Sequence, residues 1–278
     1  MKELKILLIL IVIVAIGYWG IEPYAHSVMH GEVKHPDFKY SDIKTTASTT
    51  GDPAKGKELF MANCASCHGL KNDGINPGMD KNAAIASFNV VPPDLSNIAS
   101  IVDHKFLAAF IKNPQEATKN PKFAMPPMAQ LSDEDVGHII AYLSSVAKKD
   151  LTGKEITVEA CGRCHSIKYQ KIQAETPADN LKAYLGKFPP DLSVMGRAKE
   201  LEYLEMFINN PQNGLPGTSM PRLGLTQEAT EKVVKYLDEI ADPHREQRNK
   251  LGVWVLGYLV VMAGLTYAWK KKIWKNLH

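Results

Sequence analysis

The stretch Cys64-Ala65-Ser66-Cys67-His68 decides how this chain is organised, because the same pattern returns as Cys161-Gly162-Arg163-Cys164-His165. Together the two motifs use all four cysteines of the 278 residues. In each motif two thiols lie on one helical turn, where they reach the two vinyl groups of a porphyrin, and the next residue places an imidazole under the iron. The pattern predicts two covalently bound c-type haems, with His68 and His165 as iron ligands.

Two other chemistries use the same cysteine spacing. A single Cys-x-x-Cys is also typical of a redox-active dithiol, and two such pairs can together form a four-cysteine zinc site. Neither alternative accounts for the histidine that directly follows each pair. If Cys64, Cys67, Cys161 and Cys164 all form thioether bonds, no cysteine is left for a disulfide.

Further landmarks repeat with the motif. Pro-Pro-Asp-Leu-Ser occurs at residues 92–96 and again 97 residues later, and so does the Asn-Pro-Gln of residues 113–115. Met125 and Met220 lie 95 residues apart, and a helix predicted to begin after Ser132 has its counterpart 94 residues on, after Thr226. A register this steady predicts two copies of one domain, residues 51–150 and 151–245.

Each copy also carries a proline pair between its haem motif and the following helix. The pairs Pro92-Pro93 and Pro189-Pro190 force an extended backbone. In c-type cytochromes a proline in this region supplies the carbonyl that accepts the other N–H of the ligand imidazole and so fixes its tautomer. The alternative is a stiff turn without a role at the haem.

A methionine is the candidate for the opposite side of each iron. A thioether raises the reduction potential relative to a second imidazole, and each copy offers a Met-Pro pair, at Met125 and at Met220. Met128 competes with Met125, and the repeat register favours Met125. His104 and His138 fall on predicted helices and are expected to be surface or hydrogen-bonded residues. Two six-coordinate irons predict electron transfer, with no catalytic residue and no bond-making chemistry in this chain.

The two ends of the chain are apolar. Residues 6–21 and 251–269 carry no charge, which predicts an N-terminal anchor at residues 1–21 and a C-terminal anchor at residues 251–269. A cleaved signal sequence is the alternative at the N-terminus. Residues 22–50 lack apolar periodicity and are predicted as a linker, with His26, His30 and His35 solvated rather than bound to a metal.

Flanking charges predict the orientation of both spans. Lys2 and Lys5 precede the first span, and the basic tail of residues 270–278 follows the second, so both termini are expected in the cytoplasm. Residues 22–250 would then lie outside the bacterial inner membrane, in the periplasm, where c-type haems are attached. A net charge of +3 without a basic cluster between residues 51 and 245 argues against a nucleic-acid partner.

With these residues in place, the chain resembles cytochrome c1, the haem subunit of quinol:cytochrome c reductase (the bc1 complex). The repeated Pro-Pro-Asp-Leu-Ser is similar to a hallmark of that family, and residues 248–278 are similar to its C-terminal anchor. The usual subunit has one haem motif and no retained N-terminal span, so the chain looks like the dihaem variety found in some bacterial complexes. The resemblance implies an all-α fold, with two tandem class I-like cytochrome c domains between two transmembrane helices.

The same resemblance implies partners. Electrons would come from the mobile Rieske iron-sulfur protein, pass through two c haems and leave for a soluble cytochrome c or a terminal oxidase. Quinol oxidation would take place in cytochrome b, within a dimeric complex, and this chain would be the electron-transfer subunit of that oxidoreductase. The alternatives are the dihaem subunit of a cbb3-type oxidase, which is anchored at its N-terminal side, and a stand-alone membrane-anchored electron carrier.

Overall fold

The computed structural model describes residues 2–29 and 33–275, except for the side chains of residues 2 and 3. His30 and the last three residues of the predicted tail, 276–278, lie outside the described residues. Within the described ranges the chain is helical and has isolated β-bridges but no strand. The predicted all-α fold is confirmed.

The N-terminal helix is longer than the predicted anchor. Helix α1 (Lys2–Ile16) continues through a π turn (Gly17–Ile21) directly into α2 (Glu22–Met29). Pro23 lacks an N–H and its ring crowds the preceding turn, and the wider π turn, in which the Glu22 N–H donates to the Gly17 carbonyl, accommodates it. The prediction of a linker throughout residues 22–50 therefore does not hold for Glu22–Met29.

Six helices form the first domain. They are α3 (Pro53–Asn63), α4 (Lys81–Phe88), α5 (Ile98–Ile101), α6 (His104–Lys112), α7 (Pro114–Ala117) and α8 (Asp133–Val146). Local chemistry sets their starts: the side chain of Asp52 accepts from the N–H of Ala54, and Ser132 and Asp135 form a reciprocal capping box at the start of α8.

The second domain repeats these helices in the same order. They are α9 (Gly153–Cys161), α10 (Ala178–Leu185), α11 (Met195–Ala198), α12 (Leu201–Asn209), α13 (Pro211–Gly214) and α14 (Gln227–Ala241). The small features repeat as well. A 3₁₀ turn follows each haem motif, and the isolated bridge Leu70↔Ile75 has its counterpart in Ile167↔Ile172.

A glycine lies where the first and last helices of each domain cross. A Cβ on Gly56 of α3 would stand 1.9 Å from the carbonyl oxygen of His138 in α8. A Cβ on Gly153 of α9 would stand 2.3 Å from the carbonyl oxygen of Lys232 in α14. The missing side chain therefore lets the two backbones of each pair approach closely, and this packing places the end of α3 or α9, where the haem motif begins.

We expect Gly56→Ala to lower the thermal unfolding midpoint of the haem-loaded protein by about 6 °C, because the overpacked crossing costs about 2 kcal/mol. Differential scanning calorimetry in detergent measures the shift. Gly78→Ala is the matched control, since its Cβ would meet atoms of Ser66 no closer than 3.4 Å. Equal midpoints for the two variants would contradict this account of the helix crossing.

Residues 33–50 run as an extended strap across both domains. Tyr40 is fully buried, its hydroxyl donates to the Leu225 carbonyl at 2.6 Å, and its ring centroid lies 5.2 Å from that of Phe106. Further along, the N–H of Ser48 donates to the carbonyl of Asp133 at the start of α8. One continuous hydrophobic core includes the strap and both domains, so the strap stabilises the assembly that it crosses.

The chain ends in α15 (Arg245–Trp274), whose first turn is tied to the second domain. Arg245 makes two hydrogen bonds to Asp238, at 2.8 and 2.6 Å, and Arg248 forms a two-contact ion pair with Asp242. Two helical stretches, Leu4–Met29 and Arg245–Trp274, are long and apolar enough to cross a membrane, and the most apolar part of each is entirely unburied.

Candidate haem sites

Each Cys-x-x-Cys-His motif forms one tight helical turn at the end of a helix. In the first, the N–H of Cys67 and that of His68 both donate to the Cys64 carbonyl, at 3.1 and 2.9 Å. In the second, Cys164 and His165 donate to the Cys161 carbonyl at the same two distances. In the first motif Cys64, Cys67 and His68 all face one cavity, which is the arrangement that covalent haem attachment requires.

The two histidines have equivalent hydrogen-bonding partners. His68 Nδ1 lies 2.8 Å from the carbonyl oxygen of Pro93, and His165 Nδ1 lies 2.8 Å from that of Pro190. A carbonyl can only accept, so Nδ1 carries the proton and Nε2 keeps its lone pair for a metal. Burial lowers the pKa of both histidines, which keeps the imidazoles in the neutral form that a ligand needs.

The residues after each proline pair fix the loop that holds the motif. In the first domain, Asp94 Oδ2 accepts from the N–H of Lys71 at 3.2 Å, and Ser96 Oγ accepts from the N–H of Asn72 at 3.1 Å. Asp191 and Ser193 make the equivalent bonds in the second domain, to Lys168 and Tyr169. The Asp and Ser of Pro-Pro-Asp-Leu-Ser thus tie the proline segment to the chain just beyond the motif.

A cavity of about 320 Å³ lies beside the first motif. It is lined by the first-site residues that the sequence predicts, Cys64, Cys67, His68, Pro92, Pro93 and Met125, and also by Met128. Its other walls are mainly apolar, with Phe60, Phe106 and Phe110 among them. Two thiols and an imidazole on one side and thioethers in the same cavity form a donor set that fits a covalently held haem.

A four-cysteine zinc site would require the two cysteine pairs to lie together. The two cysteine pairs belong to separate domains, and among the described residues no group of three or more His, Cys, Asp or Glu side chains is placed to hold a metal ion. Burial raises the pKa of Cys64 to about 11 and that of Cys161 to about 12. Because the two pairs lie in separate domains, their four cysteines do not meet in one zinc site.

The methionine loops are positioned by the glutamine of Asn-Pro-Gln, which sequence reasoning treated only as a landmark of the repeat. Gln115 Nε2 donates to the carbonyls of Phe123 and Met125, at 3.0 and 2.9 Å. In the second domain Gln212 Nε2 donates to the Thr218 carbonyl at 2.7 Å, two residues before Met220. The recurrence of this glutamine at the same distance from each motif was the signal that could have revealed its role.

His104 and His138, expected to be hydrogen-bonded rather than metal-binding, each contact the backbone. His104 Nε2 lies 2.9 Å from the Ala99 carbonyl oxygen, and the N–H of Asp52 donates to His138 Nδ1 at 2.8 Å. In the predicted linker, His26 Nε2 lies 3.9 Å from a carboxylate oxygen of Glu200. None of these three histidines lines the cavity beside the first motif.

Comparison with known families assigns both domains. The family described as "Cytochrome c" matches residues 53–147 and again residues 151–241. The chain belongs to the cytochrome c family. The family described as "Cytochrome C1 family" matches residues 224–277, from the last helix of the second domain through α15. The predicted combination of two tandem cytochrome c domains with a cytochrome c1-type C-terminal segment is confirmed.

Individual relatives of this cytochrome match parts of it. The "Ammonia monooxygenase gamma subunit" of Nitrosomonas europaea is 27% identical over 145 residues, covering 38% of this chain and 62% of that subunit. "Cytochrome c6" of Cyanidium caldarium is 32% identical, over 34% of this chain and 71% of its own length. "Cytochrome b/c1" of Bradyrhizobium diazoefficiens is 44% identical over 46 residues, 16% of this chain and 7% of that protein.

One solved structure, described as "Hyperthermophilic respiratory Complex III", matches over 96% of this cytochrome and 99% of its own chain, with 23% identity and a TM-score of 0.29. A TM-score this low does not establish a common arrangement of the domains.

The two cytochrome domains are joined next to their candidate methionines. The N–H of Ala124, the residue before Met125, donates to the hydroxyl of Tyr184 in α10 at 3.0 Å. The methionine loop of the second domain is held by the first domain, because Asn120 Nδ2 donates to the carbonyl of Ser219, the residue before Met220, at 3.1 Å. Each methionine loop is therefore held in part by the other domain, which sequence reasoning did not foresee.

The second haem motif also lies against the first haem site. The backbone N–H of Thr176 donates to the carbonyl of Arg163 in the second motif. The Thr176 hydroxyl in turn accepts from the N–H of Val91, which precedes Pro92 of the first site. Arg163 and Tyr184 of the second domain line the first cavity. In this cytochrome the two sites consequently share a boundary rather than lying at opposite ends of the molecule.

Proposed function

We propose that this cytochrome is the dihaem cytochrome c1-type subunit of a quinol:cytochrome c oxidoreductase. The observation that carries the proposal is the combination of two cytochrome c domains with a c1-family segment on the C-terminal apolar helix. Neither a stand-alone carrier nor an N-terminally anchored oxidase subunit accounts for that segment. Cytochrome b and a Rieske iron-sulfur protein are then its partners, and a soluble cytochrome c or a terminal oxidase is its acceptor.

The site residues have defined roles in this proposal. Bound haem c supplies a one-electron Fe(II)/Fe(III) couple at each motif. Cys64 and Cys67 would hold the first haem covalently and Cys161 and Cys164 the second, while Nε2 of His68 and of His165 would bind the irons. Met125 and Met220 would each supply a thioether ligand, and the carbonyls of Pro93 and Pro190 orient the two imidazoles. Pro92 and Pro189 keep the preceding backbone extended.

The domain contact supports transfer between the two haems. Because Arg163 lies within the second motif and also lines the first cavity, the second site begins where the first ends. An electron from the Rieske protein would therefore pass between two sites that adjoin one continuous hydrophobic core.

The count of basic residues on the two flanks of the second span supports an orientation with both termini in the cytoplasm. Arg245, Arg248 and Lys250 precede the span, and Lys270, Lys271, Lys272 and Lys275 follow it. The larger basic count on the C-terminal flank favours the cytoplasm for that flank. Protease added to the periplasmic face of spheroplasts should cleave between residues 33 and 245, whereas cleavage there from the cytoplasmic face would contradict the proposal.

The test of the function is purification of the intact protein from detergent-solubilised membranes, with subunit identification and a pyridine haemochrome count on one sample. We expect two c haems per chain, together with b haem and an iron-sulfur subunit. Recovery with an oxygen-reducing haem-copper subunit would instead assign the chain to an oxidase. Recovery alone, from mild detergent, would assign it as a stand-alone carrier.

A further inference from the structure

The first haem cavity is completed by the second domain, and two of the side chains that complete it are cations. Arg163, Glu159, Tyr184 and Arg222 are the polar residues of the second domain that line the cavity. Arg163 is half-buried and stands between the two cysteines of the second motif. Arg163 is therefore part of the second haem motif in the sequence, while its side chain lines the first haem cavity.

Arg222 and Glu159, the other two charged residues in this set, each have a hydrogen-bonding partner. The guanidinium of Arg222 is 2% exposed, makes bonds of 3.0 and 2.9 Å to the two oxygens of Asp42, and lies 4.6 Å from the ring centroid of Tyr40. Glu159 Oε1 accepts from Asn97 Nδ2 at 2.6 Å, and burial raises the pKa of this carboxyl.

Arg163, in contrast, has no carboxylate within ion-pair distance among residues 4–29 and 33–275. The side chain of Arg163 nevertheless reaches the first site, because it lines the first cavity.

The internal repeat shows what the motif needs. The residue equivalent to Arg163 in the first motif is Ser66, which is exposed. A serine at this position is therefore compatible with the same helical turn, and the arginine is not demanded by the fold of the motif. The second motif therefore contributes a cation to the first cavity. The first motif has only the hydroxyl of Ser66 at the equivalent position.

We propose that Arg163 is a positioning residue that raises the reduction potential of the haem held by Cys64, Cys67 and His68. A nearby positive charge stabilises the reduced iron, which carries one positive charge fewer than the oxidised iron, and the half-buried site weakens solvent screening. This inference rests on the proposed occupancy of both motifs by haem, and not on the bc1 assignment.

The test is Arg163→Ser, which copies the residue of the first motif, in the purified full-length haem-loaded chain. Spectroelectrochemical titration measures both potentials, and a Met220→His background moves the second haem to a separate, lower wave. We expect the reduced-to-oxidised ratio of the first haem at a fixed potential to fall about tenfold, which is 59 mV for one electron. Arg163→Lys should retain most of the original value.

Two controls keep the result interpretable. Arg197→Ser removes the same charge from an exposed position on α11 and should change the first haem less than about twofold. A haem count of two per chain shows that attachment is intact, and Arg163→Gln serves if the serine variant loses a haem. The inference would be overturned if the reduced-to-oxidised ratio of the first haem in Arg163→Ser stayed within about twofold of the parent value. A shift in potential confined to the second haem would also overturn it. Because the isolated chain is measured, this result is independent of which subunits co-purify.

Discussion

Replacing His68 by alanine is expected to abolish one low-spin haem signal and to reduce quinol-dependent cytochrome c reduction to background, and His165→Ala is expected to do the same through the other haem. The imidazole of each residue is oriented for iron by a 2.8 Å contact with a proline carbonyl, and alanine offers no ligand in its place. Low-temperature spectra of the purified complex and its turnover number measure the two effects.

The matched control is His104→Ala, since His104 contacts the Ala99 carbonyl rather than the cavity. This variant should keep both haem signals and at least about half of the turnover. Near-normal turnover in His68→Ala or in His165→Ala would mean that electrons can bypass one haem, and the serial relay between the two domains would have to be abandoned.

Met125→Leu and Met220→Leu are each expected to remove the methionine-to-iron charge-transfer band of one haem. The potential of that haem should fall by about 59 mV or more, a tenfold change in its reduced-to-oxidised ratio, because a leucine leaves the sixth position to a weaker or harder ligand. Redox titration and near-infrared absorbance of the ferric protein measure both changes, and the haem of the unaltered domain serves as an internal reference.

Met128→Leu is the control that decides between the two candidates in the first cavity. The sulfur of Met128 accepts a hydrogen bond from Gln130 Nε2 at 3.4 Å, and its side chain packs against the core. The loop around Met125 is instead held at its backbone, by Gln115. Met128→Leu should therefore keep the band, and its loss in this variant but not in Met125→Leu would show that Met128 is the ligand.

The features that repeat could be predicted from the sequence. The two haem motifs, the helix order and the proline segments occur twice at nearly constant spacing, so each copy supports the interpretation of the other. The contacts between domains could not be predicted in this way. Tyr40 donates to Leu225 across 185 residues, and nothing around Tyr40 distinguishes it from a tyrosine in a solvated linker. The continuation of the first helix through Pro23 was missed because a π turn absorbs a residue that usually ends a helix.

The contacts at the domain boundary join residues that the two copies do not share. Tyr184 occupies the place of Ser87 in the first copy, and Arg163 the place of Ser66. The duplicated halves have thus become complementary and are no longer interchangeable. A chain rebuilt from two copies of residues 51–150 would keep two haem motifs, yet it would lose the hydroxyl that anchors the Met125 loop. Because the two copies diverged after duplication, the contacts between the domains require one copy of each kind.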